Sequence, residues 1–372
     1  MVSKRNLKNI FVIFVIGLFL AVSAKAQQPT PTPAPKEEVV DDTEVLRVTS
    51  NLVAVPVSVT NANGEPVKGL TATDFRLDEE GRLQKIEEIG SADQVPLEIA
   101  LLFDVSSSVN KIFELQKEAA ARFLQNVMKP EDRATIFLIS NTPMQGQARQ
   151  TAEITATKVR AIAPASVSTA TAFYDTVTAA VQFLNKNAPA RSRRVVLVLS
   201  DGEDNNSALT RKSETASILG KQINTLTQKD LNQRAALTAK AHTAGQAKVL
   251  RDLQNGDTVF YSINPSGPSV RLNIASQRAQ TGMQKFADET GGTAFLPQFV
   301  SATETSYFTQ RNTETLERIF RQISAELRAQ YLLQYYSEGE FPTGRYVKLK
   351  VGLVNRPNLR IRARSGYFAK NQ

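Results

Sequence analysis

Three short stretches of this sequence carry oxygen-donor side chains at spacings suited to a hard cation. In Asp104-Val105-Ser106-Ser107-Ser108, a D-x-S-x-S pattern stands directly ahead of a helical stretch. A carboxylate at a strand end followed by two alternate hydroxyls can offer three oxygens to one ion. Asp201, in Ser200-Asp201-Gly202-Glu203-Asp204, holds the equivalent position after another strand. Between them, residues 168–175 (STATAFYD) open a helix, and Thr171 can offer a hydroxyl from a loop at the same edge, with Thr169 two residues away. Such all-oxygen sites suit Mg²⁺, with Mn²⁺ or Ca²⁺ as alternatives. Read singly, D-x-S-x-S also makes a helix N-cap and S-D-G-E-D a turn. The conjunction, in order on strand ends of one sheet, is what points to a metal.

Composition removes most other chemistry. The 372 residues contain no cysteine and one histidine, His242. Thiolate nucleophiles, cysteine zinc sites and multi-histidine centres are therefore excluded. A Ser-His-Asp arrangement has only His242 to use, and that residue sits in a polar helical stretch that reads as surface. The net charge is +9, but Lys4, Arg5, Lys8 and Lys25 lie in an acid-free first 26 residues; removing those four charges leaves +5 for the remaining 346. So mild and diffuse an excess argues against nucleic acid as a partner.

The candidate donors need a scaffold, and residues 95–328 supply one. Residues 97–103 (LEIALLF), 134–139, 195–199 (VVLVL) and 258–263 (TVFYSI) read as strands buried on both faces. Helical stripes separate them: Ile112, Leu115, Ala119 and Phe123; Phe173, Val177, Ala180 and Leu184; Leu316, Ile319, Phe320, Ile323 and Leu327. Gly291-Gly292 closes another helix, and residues 293–296 read as an edge strand. Strands alternating with helices imply an α/β fold, a Rossmann-like doubly wound, mostly parallel sheet, which binds ligands at the carboxyl ends of its strands. Residues 208–255 form a long Ala-, Lys- and Gln-rich insert with sparse apolar positions, read as one or two helices projecting from this domain. Residues 45–94 and 329–372 each hold a few β-rich runs, with Pro56 marking an edge or a bulge. Neither set can cover its own apolar face. The simplest solution is one small β-sandwich, built from both flanks, with the α/β domain inserted into it.

The motifs together resemble a known family. D-x-S-x-S, a loop threonine before a helix and a strand-end S-D-G are similar to the metal-ion-dependent adhesion site of von Willebrand factor A domains. The T-A-F-Y-D of residues 171–175 is close to a T-A-L-Y-D form common in bacterial members. The V-x-V-T-x-x-x-G-x-P-V-x-G-L-x-x-x-D-F of residues 57–75, E-T-G-G-T-A-F at 289–295, L-R-A-Q-Y-L-L-Q-Y-Y at 327–336 and R-x-G-Y-F at 364–368 resemble an exported bacterial subfamily abundant in Acidobacteria. The resemblance implies one divalent cation held by Asp104, Ser106, Ser108, Thr171 and Asp201. It also implies an open coordination position that a carboxylate from a partner protein completes. Glu203 or Asp204 could hold a metal-bound water. The insert at 208–255 is longer than this pattern leads one to expect.

The chain also carries an address. Lys4, Arg5 and Lys8 precede a 13-residue apolar run at 10–22, and Ala24-Lys25-Ala26 has the form that signal peptidase reads. Thirteen residues are too few for a membrane-spanning helix, so residues 1–26 read as a cleavable signal, giving a periplasmic or secreted product with no transmembrane segment. Residues 27–44 (QQPTPTPAP, then five acids among nine residues) read as a linker. The expected function is a non-catalytic, metal-dependent protein-binding module. The alternatives are a metal- or serine-dependent hydrolase, which has no plausible histidine base and no G-x-S-x-G elbow, and an envelope protein whose metal only stabilises it.

Overall fold

The computed structural model describes residues 51–105, 111–165, 170–218, 226–268, 273–300 and 305–369. The signal, the linker and all three serines of the D-x-S-x-S motif lie outside the described residues.

The central sheet has six strands. In chain order they are β5 (Leu97–Asp104), β6 (Arg133–Ile139), β7 (Met144–Gln150), β8 (Arg193–Leu199), β9 (Thr258–Ile263) and β10 (Ala294–Phe295). The spatial order is β10-β9-β8-β5-β6-β7, and every pair is parallel except β6 with β7. The alternation within β5 assigns its two faces. Ile99, Leu101 and Phe103 join one core with helices α1 (Lys111–Val127) and α7 (Thr305–Arg328). Ala100 and Leu102 join another with α3 (Phe173–Asn187), α5 (Gln228–Asn255) and α6 (Ile274–Thr290). This is the doubly wound α/β architecture that the run LEIALLF implies. Gly291 ends α6 in the left-handed conformation, φ 84°, a C-cap role open to glycine without steric cost.

Two elements escaped the sequence reading. The strand β7 (MQGQARQ) has no apolar alternation, because it is an antiparallel edge with little to bury. It does carry Arg149, whose Nη2 lies 2.6 Å from Oε1 of the buried Glu98 on β5. The short helix α2 (Ala152–Arg160) follows and packs on α1.

The flanks form the β-sandwich. One sheet runs β13-β1-β11-β4, from β13 (Arg360–Ala363), β1 (Asn51–Thr60), β11 (Tyr331–Ser337) and β4 (Glu88–Ser91). The other runs β14-β12-β2-β3, from β14 (Gly366–Phe368), β12 (Tyr346–Leu353), β2 (Phe75–Glu79) and β3 (Arg82–Gln84). Val55, Val57, Phe75, Leu77, Leu333, Tyr335 and Leu349 meet between them. Each sheet thus takes two strands from either flank. The buried Glu79 on β2 fastens the arrangement, accepting from Tyr335 Oη (2.6 Å), Ser337 Oγ (2.7 Å) and Tyr367 Oη (2.8 Å). Pro56 falls where β1 is paired with β11 alone, since the ladder to β13 starts at Val57, so its missing N–H breaks no bond there. The two short strands β3 and β4 follow one another closely in the chain yet lie in opposite sheets.

The insert departs from expectation. Helix α4 (Ala208–Ile218) packs along α5, but α5 is not merely a projection. Its last turns bury Val249 and Leu253 in the core beside α3 and β9. A few apolar residues suffice because they fall four apart on one face. Gly245 permits the close approach, since a Cβ there would meet Tyr174 Cδ2 at 2.6 Å. His242 is therefore buried rather than on the surface, with Nδ1 3.1 Å from Tyr174 Oη. Burial pushes its imidazole down to about 4, and Arg278 adds to the shift.

The two ends of α5 should respond differently to truncation. Leu253→Ala, in the core, is expected to cost about 2–5 kcal/mol of unfolding free energy in urea. Leu231→Ala, on the exposed first turns, should stay within about 0.5 kcal/mol. Equal losses would mean that the whole helix is core, and equal silence that none of it is.

Candidate metal site at the carboxyl edge of the sheet

Register places the carboxylates. The strands β5 and β8 pair in parallel with Phe103 opposite Leu199, so the next residues, Asp104 and Ser200, emerge side by side. Ser200 Oγ donates to Asp104 Oδ2 at 2.6 Å and accepts from Gly202 N at 2.9 Å. Asp201 follows, its Oδ1 accepting from Glu203 N at 3.0 Å. Gly202 turns the chain at φ 77°, where a Cβ would lie 2.7 Å from Met283 on α6. Both constraints demand glycine in the S-D-G motif.

The electrostatics are those of paired carboxylates. Burial first, opposed by the Glu203 N–H bond and helped by the negative charges of Asp104 and Glu203, pushes Asp201 up to about 6. Among the described residues no lysine or arginine forms an ion pair with Asp201. Two acids at neighbouring strand ends, one largely buried and without a basic partner, favour a bound cation.

Thr171 lies at the same edge. Its N–H donates to Asn205 Oδ1 at 2.7 Å, and its carbonyl accepts from Asn205 N and Asn206 N. The next residue, Ala172, donates to the carbonyl of Ser140, just past β6. The threonine is 7% exposed, and none of these contacts uses its hydroxyl. Asn205 and Asn206, which the sequence reading passed over, are thus the braces that hold the threonine loop to the S-D-G segment. Of the five expected ligands, the structure places Asp104, Thr171 and Asp201 at one edge. Ser106 and Ser108, and the alternative Thr169, lie outside the described residues. Among the described residues there is no cluster of three or more acidic, histidine or cysteine ligands. Two carboxylates with hydroxyls form no such cluster, and their donor chemistry still fits a hard divalent ion.

The two acids offered for a metal-bound water have separate roles. Asp204 is buried and accepts from Tyr174 N (3.1 Å) in the first turn of α3, from Thr210 Oγ1 (2.7 Å) and from Ser207 Oγ. It caps and ties helices, a structural task. Glu203 accepts from Ser276 Oγ on α6.

The six-stranded, mostly parallel sheet with helices on both faces and aspartates at its carboxyl edge is consistent with a von Willebrand factor A-like fold. No protein-family model and no curated protein matches the chain. It is similar to an aerotolerance-related membrane protein from Bacteroides fragilis, at 13% identity and TM-score 0.34, over 60% of this chain and 99% of that one. It is also similar to proximal thread matrix protein 1 from the mussel byssus, at 12% identity and TM-score 0.40, over 67% of this chain and 51% of that one. A further structure of that thread protein has a zinc-occupied MIDAS motif. The PilB minor pilin from Streptococcus sanguinis matches at 15% identity and TM-score 0.40, over 63% of this chain and 62% of that one.

If Asp204 is a structural cap, Asp204→Ala should cost about 2–4 kcal/mol of stability. The loss should be the same in EDTA and in millimolar Mg²⁺. A loss confined to the Mg²⁺ condition would move Asp204 into the cation's shell.

Proposed function

We propose that this chain is an exported, non-catalytic binding module that captures a partner protein through a divalent cation at the carboxyl edge of its sheet. The observation that carries the reading is the pair Asp104 and Asp201. They stand at adjacent strand ends, within electrostatic reach of one another, with Asp201 lacking a basic partner among the described residues. Asp104, Ser106, Ser108, Thr171 and Asp201 would hold the ion, Mg²⁺ before Mn²⁺ or Ca²⁺ because the donors are all oxygen. Bound there, the cation supplies a Lewis-acidic position for a carboxylate of the partner.

Several observations support this over hydrolysis. The only histidine is buried, engaged with Tyr174 and held to about 4, which makes it a poor general base at neutral pH. The protein's own groups act by fixing donors in advance. Ser200 holds Asp104, Glu203 N–H holds Asp201, and Asn205 with Asn206 hold the threonine loop, so little ordering is left for ligand binding. Among the described residues no helix is long and apolar enough to cross a membrane. That fits a product released by cleavage near Ala26.

Thermal melts with and without metal test the site. In EDTA, Asp201→Asn should be more stable than the wild type, by about 1–3 kcal/mol, because it removes a buried charge that faces other carboxylates. In Mg²⁺ at about 100 times its Kd the wild type should gain about 2.7 kcal/mol and the variant nothing. Capture of a partner from envelope extract should require the metal and fail with Asp104→Ala. A wild type indifferent to Mg²⁺, Mn²⁺ and Ca²⁺ would end the metal assignment. Metal-dependent melting without metal-dependent capture would leave the cation a stabilising role only.

A further inference from the structure

The two ends of the central sheet differ in charge. At the amino end ion pairs are dense: Arg328 with Asp132, Lys129 with Asp93, Arg149 with Glu98 and Arg364 with Asp257. At the carboxyl end the described connections are residues 140–144, 170–172, 201–209, 264–268, 273–276 and 296–300. They hold no lysine or arginine, and their only acids are Asp201, Glu203 and Asp204, in a chain that is 22% charged. The nearest bases along the chain are Lys111, Arg211, Lys212 and Arg278, all within helices.

Apolar side chains stand exposed in these same connections. Ile274, the first residue of α6, is 74% exposed, the highest of any large apolar residue described. Met144, Leu209 and Leu296 are also exposed. Register places them along one edge. Met144 pairs with Leu138, next to the Ile139 that lies opposite Asp104. Leu296 follows Phe295, which is opposite Ile263 on β9, itself opposite Leu199 on β8. Ile274 is two residues from Ser276, which holds Glu203, and Leu209 is next to Thr210, which holds Asp204. With strands about 5 Å apart, the row is about 25 Å long and has Asp104 and Asp201 near its middle. Single exposed apolar residues are ordinary on any surface. Four on one edge, in connections free of bases, form the kind of patch that marks an interaction site.

We propose that this edge captures a protein segment that presents a single carboxylate flanked by apolar side chains. The carboxylate would lie on the cation and its neighbours on Met144, Leu209, Ile274 and Leu296. The inference rests on the proposed cation at Asp104 and Asp201 and names the chemistry of its partner. One divalent cation offsets the two aspartates, and Glu203 is engaged with Ser276. A second acid on the partner meets no base in these connections, so its desolvation goes uncompensated. Each apolar side chain laid on the row instead removes apolar surface from water on both molecules. An extended segment of about eight residues spans the row.

Selection from a displayed library of random dodecapeptides on the immobilised full chain, bound in Mg²⁺ and eluted with EDTA, tests this. The eluate should be enriched, over the unselected library, in sequences with one Asp or Glu and with Leu, Ile, Val, Phe or Met close beside it. In calorimetry with the tightest selected peptide, Ile274→Ser and Leu209→Ser should each weaken binding about tenfold. Both variants should keep the wild-type melting response to Mg²⁺, so that the loss is not a loss of metal. Replacing the peptide's acid by its amide should remove binding. Leu83→Ser, exposed on β3 of the sandwich, should bind like the wild type. Acidic peptides eluted without apolar enrichment would overturn the proposal and leave metal-mediated capture standing. So would wild-type affinity in both Ile274→Ser and Leu209→Ser. An eluate without acidic sequences, while Mg²⁺ still raises the melting temperature, would end metal-mediated capture and this inference with it.

Discussion

The in-register parallel pairing of β5 with β8 is the constraint on which the metal edge depends. It sets Phe103 opposite Leu199 and so delivers Asp104 and Ser200 together, with Asp201 one residue on. A slip of one residue would turn Asp104 to the other face of the sheet and part it from the Ser200 hydroxyl. The register itself is enforced from both sides. Ile99, Leu101 and Phe103 must meet α1 and α7, while Ala100 and Leu102 must meet α3, α5 and α6. Neither apolar set can be moved without exposing the other. The repulsion between the acids is thus imposed on them by a core that cannot relax to relieve it.

Around that pair the polar structure is continuous. Asn205 and Asn206 pin the threonine loop, Asp204 caps α3 and ties Ser207 and Thr210, and Ser276 holds Glu203 to α6. Among the described residues the edge is therefore braced by hydrogen bonds from three helices rather than left as loose loops. The far end of the sheet is organised differently. There Arg328 joins Asp132, Asp93 and the carbonyl of Val127, and Arg193 holds Leu327 O. These contacts lock the start of β5 and the end of α7 where the chain passes to and from the sandwich.

Much of this was legible in the residues. Continuous apolar runs such as LEIALLF and VVLVL announced strands buried on both faces, and the D-x-S-x-S and S-D-G motifs followed them at the expected ends. What was not legible had little apolar signal to read. β7 is a polar edge whose role rests on one arginine reaching the buried Glu98. The core contribution of α5 rests on Val249 and Leu253 in an otherwise polar helix, and on a glycine that lets it approach Tyr174. The burial of His242 follows from that approach, which no local pattern encodes. The bracing asparagines follow Asp204 in a run that reads simply as a turn.

The sandwich has a consequence for how the molecule is made. β1 pairs with β11 between residues 51 and 337, so its ladder joins segments almost three hundred positions apart. Closing so long a loop is slow for a free chain. Once the α/β domain has folded, however, it brings Pro96 and Leu327 to the same end of the sheet, Pro96 O accepting from Arg193 N and Leu327 O from Arg193 Nη1. Folding of the inserted domain therefore shortens the search for the sandwich from hundreds of residues to a few. Synthesis runs against this order. The strands β1 to β4 emerge first and wait, with open edges and half a core, until the last forty residues arrive. The chain's vulnerable interval is the time its own beginning spends without its end.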